Sequence, residues 1–186
     1  MFEKSGAVLK GHFRLASGLH SPIYWEKFRI LQFPSYTEQL CHMIADHFRG
    51  QKIDVVAGPT TGGIILAHEV ARQLEIRSIF AEKEAAGERA FRRGSGLNPG
   101  ERVLVVDDVL TTGGSIREVL SAVDKLDGKV LGIGVLVDRS EQKLDFGAPL
   151  FSCLRSETIT YKPETCPLCA AQIPLIEPGA SHKSSG

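Results

Sequence analysis

The sequence predicts an α/β fold: a central parallel sheet flanked by helices, with the two ends of the chain forming a hood. Three observations predict it. Four short apolar segments recur along the chain, amphipathic segments of helical spacing alternate with them, and the apolar segments show little inside–outside alternation. A strand that is apolar on both faces needs cover on both sides, which crossover helices of a parallel sheet supply.

The elements follow in order. Residues 36–49 space Leu40, Met43, Ile44 and Phe48 at helical intervals behind a Pro34-Ser35 start signal. Ile53-Asp54-Val55-Val56-Ala57 reads as a buried strand closed by Gly58-Pro59. Residues 64–74 form a second amphipathic helix, and Ser78-Ile79-Phe80-Ala81 a second strand. Residues 83–100 show no periodicity, several glycines and alternating charges, so this long connection is a candidate functional loop. Val103-Leu104-Val105-Val106 is the third strand. Residues 116–126 make a third helix with Ile116, Val119, Leu120 and Val123 on one face, and residues 130–137 are a nearly all-apolar fourth strand. The first thirty residues and the tail from Pro149 fall outside this pattern. In such sheets ligands bind beyond the carboxyl ends of the strands, so the informative residues begin at Gly58, Glu82, Asp107 and Asp138.

Composition narrows the class. A chain of 186 residues fits one domain, and its 22 basic residues balance 22 acidic ones. That balance argues against bulk binding of nucleic acid or an anionic membrane. No stretch approaches the ~20 apolar residues of a membrane span, and the N-terminus lacks a secretory apolar core. Four cysteines are too few for a disulfide scaffold, so a cytoplasmic protein is expected.

The strongest motif is Val103-Leu104-Val105-Val106-Asp107-Asp108-Val109-Leu110-Thr111-Thr112-Gly113-Gly114-Ser115. An apolar strand delivers two carboxylates to its end, and a Thr/Gly/Ser run then opens a helix. Glycine backbone N–H groups, hydroxyls and a helix N-terminus together suit a phosphomonoester. The run lacks the Gly-Lys-Ser/Thr ending of a nucleotide P-loop and the spacing of a dinucleotide fingerprint. The paired acids fit sugar hydroxyls, or an electron-poor centre developing beside them. A solvated helix cap is the plainer reading, but a cap does not require so long a run.

In these residues the chain resembles the type I phosphoribosyltransferases, whose phosphoribosyl pyrophosphate (PRPP) signature is an apolar strand, two acids and a Thr/Gly loop. Within them it is similar to the orotate phosphoribosyltransferases over residues 11–139. Phe13-Arg14-Leu15-Ala16-Ser17-Gly18-Leu19-His20-Ser21-Pro22-Ile23-Tyr24-Trp25 looks like their orotate segment, and Gly58-Pro59-Thr60-Thr61-Gly62-Gly63-Ile64 like their pyrophosphate loop. Ala81-Glu82-Lys83-Glu84 resembles the start of their mobile catalytic loop, and Val137-Asp138-Arg139 their base-binding arginine.

The resemblance implies transfer of the phosphoribosyl group of PRPP to orotate in pyrimidine synthesis. Asp107, Asp108 and Lys83 would be catalytic. PRPP would lie against Thr60, Thr61, Gly62, Gly63 and Lys83, and against the run from Asp107 through Val109, Leu110, Thr111, Thr112, Gly113 and Gly114 to Ser115. Thr111, Arg139, Tyr24 and Trp25 would hold orotate. Mg²⁺ would be the cofactor, held mainly by substrate, with no protein metal ligands. A homodimer sharing the loop across subunits is expected, with no nucleic-acid or membrane partner. The expected layout is a single domain: a base-binding hood (1–34), a core (35–148), a mobile catalytic loop (83–100) and a disordered tail (179–186). A purine-base phosphoribosyltransferase, or a PRPP-sensing regulator of the same fold, is the alternative. The segment 17–25 favours orotate over a purine, and the lack of excess positive charge weighs against the regulator.

Three positions depart from the common pattern. Many relatives have a lysine where this chain has Ala16, another where it has Gly62, and a basic residue where it has Ala86. Arg14, His20, Lys27 and Arg29 are candidates to replace the first charge, and Arg89, Arg92 and Arg93 to supply loop contacts to pyrophosphate. Tyr24 and Trp25 have a plainer reading as core aromatics. Cys166-Pro167-Leu168-Cys169 is a C-x-x-C knuckle, with Cys153 upstream and His182 downstream. Only this pair has metal-ligand spacing, and the histidines at 12, 20, 42, 47, 68 and 182 form no such pair, so a thiol pair or a tight redox-sensitive disulfide, without zinc, is expected.

Overall fold

The computed structural model describes residues 1–15, 17–84, 87–156 and 159–178. The chain divides into two compact units, Leu31–Glu157, and Met1–Ile30 with Thr158–Gly186.

The smaller unit contains an antiparallel pair, β1 (Val8–Arg14) and β2 (His20–Trp25), with a register irregularity between Lys10 and Phe13. The short helix α1 (Phe28–Leu31) leads out of it. The C-terminal segment returns to the same hairpin. Tyr161 and His20 exchange backbone hydrogen bonds at 2.8 and 2.9 Å, and Ile176 N–H donates to the His12 carbonyl at 2.8 Å.

The larger unit is the expected α/β core. Helix α2 (Pro34–Phe48), strand β3 (Val55–Pro59), helix α3 (Gly62–Leu74) and strand β4 (Arg77–Lys83) come first. Strands β5 (Arg89–Phe91) and β6 (Arg102–Leu110), helix α4 (Gly114–Asp124), and strands β7 (Lys129–Asp138) and β8 (Leu150–Arg155) follow. A last helical turn, α5 (Pro167–Ala170), belongs to the smaller unit. The sheet order is β5-β4-β3-β6-β7-β8, parallel except where β5 pairs antiparallel with β4.

The core explains the order of elements. Val55, Ala57, Val103, Val105, Ile133 and Val135 point to one face, where Ile116, Val119 and Val123 of α4 cover them. Helices α2 and α3 pack on each other and on the sheet, burying Leu40, Ile44, Phe48, Leu66 and Val70. Each such side chain contributes roughly 1.5–3 kcal/mol relative to exposure.

Two expectations are corrected. The tail from Pro149 is not wholly outside the sheet, because β8 extends it beside β7; an edge strand is only half-buried, so it lacks the apolar run of the central ones. The segment 83–100, read as a candidate functional loop without regular structure, is not all loop either. It begins as a hairpin with Lys83 opposite Arg89, and Phe91 and Leu97 pack against the core. Its tail counterpart, 179–186, lies outside the described residues.

Candidate active site

Strand β6 does not stop at its last apolar residue. Pairing with β7 continues as far as Leu110 opposite Asp138, so both acids are held as strand residues at the carboxyl end of the sheet. Asp107 and Asp108 are 6% and 2% exposed, although each carries a carboxylate. Backbone donors satisfy part of each: the Asp108 N–H donates to Asp107 Oδ1 at 2.8 Å, and the Val109 N–H to Asp108 Oδ1 at 2.7 Å. These bonds fix two adjacent carboxylates before any substrate arrives.

The chain then opens outward. Thr111, Thr112 and Gly114 are exposed, and Gly113 turns the backbone with φ +80° to start α4. A side chain at Gly113 would also strike the Phe146 ring at 2.8 Å. With its first N–H groups unpaired within the helix, α4 presents a positive end to an anion.

The second loop approaches from β3. Thr60 N–H donates to the Ala81 carbonyl at 3.1 Å, the Thr60–Thr61 peptide is cis, and Gly62 starts α3. Gly62 lies directly against Asp108 Oδ2, so the structure brings the two sequence-predicted loops together. Thr61 is exposed, and Gly62 and Gly63 are buried.

The basic residues are distributed unevenly. Lys83 is exposed at the end of β4. Arg89 donates from Nη1 to Thr60 Oγ1 at 3.0 Å and to the Ala81 carbonyl at 3.1 Å, and from Nε to Glu118 at 3.0 Å. It therefore braces the loop at Thr60 against α4. Arg92 pairs with Glu84, and Arg93 with Glu82, so both loop arginines are engaged by neighbouring acids.

On the base side, the Arg139 N–H donates to the Leu110 carbonyl at 2.8 Å, which sets Arg139 beside the residue preceding Thr111. Asp138 is 4% exposed and accepts from Ser140 N–H and Oγ–H at 2.9 and 2.7 Å, closing a turn under that arginine. Tyr24 and Trp25 lie on β2 of the smaller unit. There Trp25 meets Phe2 edge-on at 5.4 Å, and Tyr24 lies tilted on Phe13 at 5.7 Å. Of the candidates to replace a charge at position 16, Arg14 pairs with Glu177 at 2.8 Å, Lys27 lies over the Phe28 ring and Arg29 reaches the Gly6 carbonyl. Ala16 and Ala86 themselves lie outside the described residues.

Known proteins resemble this chain over nearly its whole length. The phosphoribosyl transferase domain model matches residues 29–168. The orotate phosphoribosyltransferase of Pelotomaculum thermopropionicum is 52% identical over 97% of this chain and 94% of its own. That of Caldanaerobacter subterraneus is 50% identical over the same shares. The chain belongs to the orotate phosphoribosyltransferase family. The crystal structure of the family member from Aeropyrum pernix superposes with a TM-score of 0.71 at 29% identity, covering 83% of this chain and 90% of that one. The type I phosphoribosyltransferase fold is thus the fold of this chain. Among its described residues no helix is long and apolar enough to cross a membrane.

One ligand set escaped the sequence reading. His12, assigned no role there, and His20, offered there only as a candidate base-side charge, converge with Cys166 and Cys169, and the four donor atoms lie within 4.8 Å of one another. This corrects the expectation of an incomplete set. Cys153 is elsewhere, its thiol facing the Leu40 carbonyl, and His182 is outside the described residues. The signal was present as a hairpin: with His20 opposite Arg14, His12 is its diagonal neighbour on the same strand face.

Proposed function

We propose that this family member transfers the phosphoribosyl group of PRPP to orotate, releasing pyrophosphate and forming orotidine 5′-monophosphate for pyrimidine synthesis, through the residues assembled at the ends of β3, β4, β6 and β7. The observation that carries the assignment of roles is the buried Asp107–Asp108 pair, followed at once by the exposed Thr111–Thr112 turn and the N-terminus of α4.

The C1–pyrophosphate bond breaks with its electron pair going to the departing oxygen, and a ring nitrogen of orotate forms the new bond to C1 as its N–H proton passes to solvent. Positive charge builds on the sugar ring in between. Asp107 and Asp108, fixed by backbone donors, lower the energy of that charge and hold the ribose hydroxyls. Thr111, Thr112, Gly113, Gly114 and Ser115 bind the 5-phosphate through hydroxyls and helix N–H groups. Thr60, Thr61, Gly62 and Gly63 receive the pyrophosphate, and Lys83 adds positive charge as it departs. Arg139 pairs with the orotate carboxylate, with Thr111 beside it, and the rings of Tyr24 and Trp25 are of a kind that stacks on a planar base.

The hard carboxylate oxygens of Asp107 and Asp108 suit a neighbourhood for Mg²⁺, which keeps several waters and would be held mainly by the pyrophosphate and ribose oxygens of the substrate rather than by direct protein ligands. Bound with substrate, Mg²⁺ neutralises the pyrophosphate charge. The protein acts as a homodimer in which the segment entered at Lys83 serves the neighbouring site.

The test is a panel of bases assayed with PRPP and Mg²⁺ by pyrophosphate release. Orotate should be used, and hypoxanthine, adenine and uracil should be poor. Changing Arg139 to Ala should raise the orotate KM about 10- to 100-fold, as losing a hydrogen bond to a charged group does, with a smaller effect on the PRPP KM. Preferential use of a purine would reject the base assignment.

A further inference from the structure

We propose that His12, His20, Cys166 and Cys169 bind one zinc ion, a structural site that ties the C-terminal segment of the chain to its N-terminal hairpin. The donor atoms meet the spacing that zinc demands. His12 Nε2 lies 3.6 Å from Cys166 Sγ and 3.7 Å from Cys169 Sγ, and His20 Nδ1 lies 3.4 Å from Cys169 Sγ. A tetrahedral ion with Zn–N near 2.0 Å and Zn–S near 2.3 Å puts nitrogen and sulfur about 3.6 Å apart. The two imidazole nitrogens, 2.9 Å apart, open by a few tenths of an ångström to reach the corresponding separation of about 3.3 Å.

The surroundings set the ligands up. His12 Nδ1 lies 2.8 Å from the Ile173 carbonyl, an acceptor only, so Nδ1 carries the proton and Nε2 turns its lone pair to the centre. Cys166 caps α5 and Cys169 lies within it, so the C-x-x-C spacing brings both thiols to one side. His12, His20 and Cys166 are 1%, 5% and 3% exposed, whereas Cys169 is exposed and leaves a path for the ion. Binding releases the two thiol protons to solvent, and the proton that His20 Nδ1 shares with His12 Nε2 moves to His20 Nε2, freeing Nδ1 for the ion.

Donor chemistry and fold select the metal and its role. Two thiolates with two imidazoles favour zinc over the oxygen-seeking Mg²⁺. Four protein ligands leave no open position, which marks a structural rather than a catalytic ion. The unit also needs a tie: among its described residues only Ala7, Phe13, Ile30 and Cys166 are buried apolar side chains. Small units with so little core depend on a metal or a disulfide.

The test is made on the full chain, expressed with zinc and purified without chelator. About one zinc per chain is expected by elemental analysis. Exchange for Co²⁺ should give the intense visible bands of a tetrahedral site with thiolate charge transfer. Removal by a strong chelator should lower the thermal midpoint by about 10 °C or more. Cys169→Ser should lose the charge-transfer intensity or the metal, while Cys153→Ser should retain both. Zinc well below stoichiometry after growth with zinc, a weak six-coordinate cobalt spectrum, or a Cys166–Cys169 disulfide in the freshly purified chain would each overturn the site. The wild-type measurements decide the matter even if the variants fail to fold, and none of these readouts depends on which base is used.

Discussion

Gly62 and Asp108 share one volume: a Cβ at Gly62 would stand 2.0 Å from Asp108 Oδ2 and 3.0 Å from its Cγ. The start of α3 and the end of β6 can therefore approach only because one of them has no side chain. In this chain the glycine at position 62 and the placement of the Asp108 carboxylate are a single feature.

Gly62→Ala should accordingly separate stability from activity. Gly62 is the first residue of α3, where interior helix propensity has little weight, and the end of the Asp108 side chain must shift to make room for the added Cβ. The thermal midpoint should move by only a few degrees, but the displaced carboxylate should lower kcat by about 10- to 100-fold, the scale of a 1 Å misplacement. Gly50→Ala, where an added Cβ meets nothing within 4 Å, serves as the control. Wild-type turnover in Gly62→Ala would remove Asp108 from the reaction.

The two acids should be tested together. Replacing Asp107 and Asp108 with Asn keeps their shape and removes the charge facing the developing cation. Turnover should fall about ten- to a thousandfold, the scale of one strong electrostatic contact. Equal turnover at equal folding would sink the role.

The central elements were legible because burial on both faces leaves an unbroken apolar run, as in β3, β6 and β7. Their ends were not, since β6 continues through Asp107 and Asp108 by pairing with β7, which apolar patterning cannot report. The edge strands β5 and β8 are half-buried and were read as loop and tail. The phosphate loops were legible because each is local in sequence. The His12–Cys166 pair was not, because it joins residues 154 positions apart that only the fold brings together.

Acid sensitivity should concentrate at Asp54. Arg102 donates to it from Nε at 2.8 Å, from Nη2 at 2.6 Å and from its backbone N–H at 2.9 Å, and these bonds hold its carboxyl well below the usual carboxylate range. A group whose folded pKa is depressed stabilises the fold above its unfolded pKa, near 3.9, and that contribution is lost as pH falls through the folded value. Asp54→Asn should therefore lower the thermal midpoint at pH 7, and the gap to wild type should narrow as pH drops below about 4. A constant gap across that window would show that the charge is not what stabilises.

Lys83 should act on the neighbouring subunit's site. Its side chain is exposed at the end of β4, whereas Asp108 is buried at the end of β6. A charge that arrives with closure neutralises a departing anion and excludes water at the same time, and a hairpin leaving β4 is placed to supply it. The experiment mixes two inactive variants, Lys83→Ala and Asp108→Ala, under conditions that exchange subunits. With contribution in trans, each mixed dimer has one site carrying both defects and one intact site. Random exchange makes about half the dimers mixed, so roughly a quarter of wild-type activity should return. With Lys83 acting in its own subunit every site keeps one defect, and no recovery despite proven exchange would reject the shared site.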